Sequence, residues 1–184
     1  ETAFNQQFSN EKDKCLFDVV KNESPDSSLR PNQIIACSLD FSMLPADRIS
    51  TIVDTVQKRL WVAYGLKTLS SDDSRYRGKY QGDRAQRDHA YHNGAVWAWL
   101  LGPFVRAFLK TKSCEAEWRR FAFENFLQPL FTEELFKAGL GCVSEIFDGD
   151  LPHESNGCIA QAWSVAEPLR AYVEDVLLNR PPFE

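Results

Sequence analysis

Glu145, Asp148 and Asp150 share one broken stretch, Gly139 to His153. Its glycines permit tight-loop backbone, and Pro152 removes a donor, so the segment reads as an irregular loop. Long loops inside a compact domain are usually functional. Hydrolysis of a glycosidic bond needs two carboxyl groups, one protonated and one ionised. It also needs aromatic platforms and charged hydrogen-bond partners, which Tyr76, Tyr80 and the segment Asp88 to Trp99 supply. Repulsion from Asp148 and Asp150 is expected to raise the pKa of Glu145. Arg30, Arg87 or a wet pocket must then offset it to keep a base ionised. From spacing alone, Glu145 reads as a surface loop carboxylate.

Other chemistries fit less well. His89 and His92 are three apart beside Asp88, yet no His-Glu-x-x-His and no cysteine cluster accompanies them, so no metal is expected. Asp148-Gly149-Asp150 lacks the rest of an EF-hand loop. Gly139-Leu140-Gly141 has neither a third glycine nor a preceding strand, and Ser144 lacks the Gly-x-Ser-x-Gly elbow. Dinucleotide binding and serine hydrolysis are set aside, and no cofactor is implied.

The 184 residues suffice for one domain with a core, and a 43% hydrophobic fraction is that of a globular protein. A net charge of −5 argues against nucleic acid, which needs a basic face. No apolar run approaches the roughly 20 residues of a membrane helix. The five cysteines are scattered without Cys-x-x-Cys, so free thiols in the cytoplasm are the plain reading. Asn22-Glu23-Ser24 matches a glycosylation pattern, one that is common by chance.

Helices are expected to carry these loops. Thr2 to Phe8 reads as a helix with Phe4 and Phe8 on one face, and Leu16 to Val20 as a short strand. Arg30-Pro31-Asn32 opens a second helix. Pro45 opens a third, with Ile49, Ile52, Val53 and Val56 inward. Gly65 to Asp88 is a long polar, tyrosine-bearing loop. Tyr91 to Lys112 is expected to be one helix, apolar all round and kinked at Pro103. Cys114 to Leu127 is half-exposed, broken at Pro129, with Thr132 capping a short helix that Gly139 ends. Gly157 to Leu178 forms the last helix, with Pro168 inside it. Trp99, Trp118 and Trp163 are assigned to core packing. Apolar helices alternating with amphipathic ones predict an all-α fold of two helix layers, inner and outer.

Six motifs in order carry a resemblance: Arg30-Pro31-Asn32-Gln33, Gly65 to Ser70, Arg87 to Trp97, Trp99 to Phe104, Ser144 to Gly149 and Gln161 to Glu167. From about Phe4 to Arg170 the chain resembles the C-terminal part of the glycogen debranching family, the amylo-α-1,6-glucosidase domain of prokaryotic type. The resemblance implies roughly half of an (α/α)6 toroid with long polar loops, residues 1–184 forming the C-terminal portion of one glucosidase domain. It implies inverting hydrolysis of α-1,6 branches in glycogen or a related α-glucan, with Glu145 as general base. Arg30, Asn32, Tyr76, Tyr80, Arg87, Asp88, Tyr91, His92, Trp97, Asp148 and Gln161 are the sugar contacts it implies. Asn93 and Ala95 replace the family's usual Gln and Thr, and Pro168 a helix-friendly residue. The family's general acid is an aspartate upstream of anything in this sequence, so the chain is expected to be inactive alone. Its apolar inner helices, such as Trp97 to Phe108, are expected to be covered by the missing half or by self-association. The alternative is a glucan-binding or scaffold fragment without catalysis.

Overall fold

A computed structural model describes residues 1–21 and 24–180. Two residues of the glycosylation pattern, Asn22 and Glu23, and the tail 181–184 lie outside the described residues. Helices dominate, as the resemblance implies. They are α1 (Thr2–Phe8), α2 (Gln33–Ser38), α3 (Ala46–Arg59), α4 (Arg84–Tyr91), α5 (Leu101–Thr111), α6 (Ala116–Ala122), α7 (Gln128–Thr132) and α8 (Ala162–Arg170). The expected all-α fold is corrected by a five-stranded antiparallel sheet, and a further strand pair, β1 (Ser9–Asn10) with β2 (Cys15–Leu16), stands apart. The sheet runs in sequence order through β3 (Trp61–Val62), β4 (Gly65–Lys67), β5 (Val96–Trp97), β6 (Ile146–Phe147) and β7 (Ser155–Asn156). Strands of two or three residues are too short to print an alternating pattern. The register Leu66–Trp97–Ile146 lays buried side chains across the centre of the sheet.

The expected Tyr91–Lys112 helix divides. Helix α4 stops at Tyr91, and the chain turns through Gly94, where a Cβ would fall on the Arg77 carbonyl oxygen. Trp97 enters the sheet before α5 starts at Leu101. Pro103 therefore lies in the first turn of α5, where the missing N–H has no partner to lose, and the expected kink has no cause there. Helix α5 is the hub of the core. It packs on α2, α3, α6 and α8, and Phe104 and Phe108 both meet Phe126 at 5.0 Å. The expectation that this helix exposes its apolar faces is thus corrected.

Pro129 breaks nothing. The chain stays helical from α6 through a π-helical turn, Phe123–Leu127, into α7, where Pro129 occupies the first turn. Thr132 ends α7, its hydroxyl donating back to the Gln128 carbonyl, so it caps no following helix. Helix α8 begins at Ala162 rather than Gly157, runs through Pro168 and widens into a π-helical stretch, Ala171–Val176. Its charged side turns inward. Arg170 bonds Glu167 and Asp175, and Arg106 of α5 meets Glu174 and Asp175. Its apolar stripe turns outward, with Val165 40%, Leu169 50% and Leu177 53% exposed.

All five cysteines are free. Burial pushes the thiol of Cys15 up to about 11 and that of Cys37 up to about 12, which leaves both protonated and unreactive at neutral pH.

Candidate active site

Glu145 sits half-buried just before β6. Its backbone N–H donates to the Cys158 carbonyl at 2.8 Å, and the Gln161 N–H donates to Val143 at 3.1 Å, extending the β6–β7 pairing past Glu145. That pairing brings the Cys158 N–H to Glu145 Oε2 at 2.9 Å. Gln161, the residue just before α8, donates its side-chain amide to Oε1 at 3.4 Å. The Tyr91 hydroxyl, at the end of α4, donates to the same Oε1. The chain at residue 157 must be glycine: φ is +72°, and a Cβ would strike the Glu145 carboxylate.

Burial is the largest single influence on Glu145 and opposes its ionisation. The hydrogen bonds from Tyr91, Cys158 and Gln161 together outweigh it, so the carboxyl is held below its ordinary value. The net shift is thus downward, so repulsion from Asp148 and Asp150 does not prevail, which corrects the expected rise. The carboxylate of Asp148 is engaged by the Tyr80 N–H at 2.8 Å, Asn156 at 3.0 Å and Lys79 at 3.1 Å. Asp150 accepts from Tyr76 at 3.0 Å. Nor do arginines hold Glu145 ionised, since Arg87 bonds the Gly82 carbonyl and Arg30 lies elsewhere.

A folded pKa below the unfolded one means that Glu145 adds stability above its ordinary value of 4.5, lost as the pH falls through the folded value. Tyr91 gives the strongest of the lowering hydrogen bonds, and burial, then Glu145 itself, keeps its phenol protonated by raising its pKa. Tyr91→Phe is expected to move the Glu145 titration upward, as followed by carboxyl carbon NMR. An unmoved midpoint would remove Tyr91 from this role.

Tyr91 also joins Glu145 to a cavity. Its ring meets Trp97 edge-on at 4.8 Å, and His92 stacks over Trp97 at 6.2 Å. Trp97, Trp99 and Trp163 wall a cavity of about 260 Å³ with His92, Arg30, Pro31, Asn32, Thr68 and Leu100. Trp163 is 45% exposed and leaves the core-packing role assigned from sequence, while Trp99, on which it stacks at 5.6 Å, is partly buried against the core and keeps that role on its other side. Trp118 keeps it, packed on Phe108 at 6.1 Å.

The sites expected from sequence therefore divide. Tyr91 and Gln161 meet Glu145, while Arg30, Asn32, His92 and Trp97 line the adjacent cavity. Arg30 is largely engaged within the fold, donating to Thr68 at 3.0 Å, to His92, and to Asn93 at 2.9 Å. Asn32 bonds Asp18 at 2.7 Å. Tyr80 faces Tyr91 at 6.0 Å. Tyr76 lies on a separate open groove with Lys79 and His89. Asp88 is exposed on α4, where its carboxylate pairs with Arg84 at 3.7 Å. Sequence reasoning missed Trp99, Trp163, Thr68 and the Cys158 N–H. Trp163, Trp99 and Thr68 each fall inside one of the six motifs, which was the usable signal, whereas Cys158 falls inside none. Among the described residues, no group of three or more His, Cys, Asp or Glu side chains is placed to hold a metal. No helix among them is long and apolar enough to cross a membrane.

A family profile described as Amylo-alpha-1,6-glucosidase matches residues 1–170. The glycogen debranching enzyme of Saccharomyces cerevisiae is 31% identical over 99 residues, covering 50% of this chain and 6% of the yeast protein. With the profile match spanning nearly its whole length, the chain belongs to the amylo-alpha-1,6-glucosidase family.

Proposed function

We propose that this chain is the base-bearing part of a glucosidase that hydrolyses α-1,6 branches of glycogen or a related α-glucan. The observation that carries this reading is Glu145, held ionised by three hydrogen-bonding neighbours beside a tryptophan-walled cavity. A glucose unit stacks on those indoles, and its hydroxyls meet His92, Asn32 and the free donor of Arg30. Glu145 takes a proton from water attacking the anomeric carbon, and the product inverts. Inversion requires a second carboxyl on the opposite face, about 6.5–9.5 Å away. Asp18, beside the cavity, is already paired with Asn32 at 2.7 Å and Arg30 at 3.6 Å. The family resemblance instead assigns the acid to an aspartate on upstream helices of the same domain, helices that would complete an (α/α)6 toroid with residues 1–184. The outward stripe of α8 is the surface that these helices, or a second copy, would cover. Free thiols support a cytoplasmic setting.

The paired state of Asp18 also favours a second reading, glucan binding without catalysis. The isolated chain is expected to be retarded by branched limit dextrin on a native affinity gel while releasing no glucose. Trp163→Ala is expected to weaken retention about tenfold, the scale of one aromatic contact. Glucose release by the isolated chain would overturn the need for a second carboxyl. Unretarded migration would sink both readings.

A further inference from the structure

Glu134 is 1% exposed in a 3-10 turn, Glu134–Phe136. Its Oε1 accepts from the hydroxyls of Ser144 at 3.0 Å and Ser155 at 2.9 Å, and its Oε2 from Ser155 at 3.0 Å. Among the described residues its carboxylate oxygens meet only these two hydroxyls. Burying a carboxyl group on so few partners is unfavourable, and an apolar residue would fill the same volume without that cost. Its partners indicate what it achieves. Ser144 immediately precedes Glu145, and Ser155 lies on β7 opposite Phe147 of β6. Glu134 thus grips both arms of the hairpin from the core side. On the other side, the Glu145 carboxylate and the Cys158 N–H close the same two arms at 2.9 Å.

We propose that Glu134 is a positioning residue: by clamping Ser144 and Ser155 it fixes the separation of the two arms, and so the placement of the Glu145 carboxylate against Tyr91 and Cys158. The inference rests on Glu145 being the reacting base, because misplacement by about 1 Å is enough to matter in catalysis. It concerns a residue that touches no substrate.

Glu134→Gln keeps the volume and removes one of two acceptor oxygens, leaving a serine hydroxyl competing for the other. The test uses the 184-residue chain, with carboxyl carbon NMR on Glu145 and amide exchange at Glu145 and Cys158. The expected result is an upward move of the Glu145 titration and exchange at both amides faster by about tenfold. Ser144→Ala is expected to reproduce it, and serves should Glu134→Gln fail to fold. A lower melting temperature with the Glu145 titration and exchange unmoved would overturn the proposal and leave Glu134 as a core brace. This readout is independent of hydrolysis. Loss of the base assignment would appear instead as full activity in a Glu145 variant, with the clamp intact.

Discussion

Glu145→Gln is expected to lower glucose release from a branched limit dextrin by about 10²- to 10⁴-fold, measured with the upstream acid-bearing part restored. That is the usual contribution of one general base. The amide matches the carboxylate in shape and cannot accept a proton from water. It also turns an NH2 group toward either Tyr91 or the Cys158 N–H, which are both donors. The loss should fall on kcat, because the indoles of Trp97, Trp99 and Trp163, proposed to stack on the sugar, are untouched. Undiminished glucose release would sink the assignment of Glu145.

Asp175→Ala is expected to cost about 3 kcal/mol of stability, at the low end for removing one partner from a buried ion pair. Its side chain is 4% exposed and accepts from Arg106 at 3.0 Å, Arg170 at 3.0 Å and Arg180 at 3.2 Å. These link α5, α8 and the segment after the π-helical stretch. The low end applies because the arginine side chains are 20%, 23% and 39% exposed and therefore partly solvated. Glu174 also remains to partner Arg106 and Arg170. Urea denaturation should show a lower midpoint with an unchanged slope. A midpoint within error of the parent would mean that packing alone holds α8 to α5. Asp175→Asn, which keeps one acceptor, is expected to lose less.

How much of this was legible in the sequence depended on the range of the interaction. Helix α3 was readable because its apolar positions recur at helical spacing and Pro45 marks its start. All four of its expected inward residues are buried. The sheet was not readable, since two-residue strands such as Val96–Trp97 are defined by partners far along the chain. Helix α8 shows the limit of periodicity. The apolar stripe was visible, but periodicity gives a face and not its direction. The direction was set by Arg106 on another helix, which draws Glu174 and Asp175 inward. At the site, the motifs that carry the family resemblance singled out Glu145, Tyr91 and Gln161. Composition near Glu145 misled, because Asp148 and Asp150 are close in sequence yet engaged with Lys79, Tyr80 and Tyr76. Arg30 likewise read as a free cation, and proves mostly committed to carbonyls that fix neighbouring turns.

The small sheet also sets the order in which the site can assemble during folding. The pairs β3–β4 and β6–β7 are local hairpins that close over short loops. The pairing of Trp97 with Ile146 joins residues roughly 50 apart in the chain, so it bears the larger loop-closure entropy. Strands this short cannot hold that contact alone and must wait for α5 to gather its core. Docking of β6, and with it Glu145, against Trp97 is therefore expected to follow the gathering of the α5 core. Hydrogen exchange during refolding should accordingly protect α5 before β6.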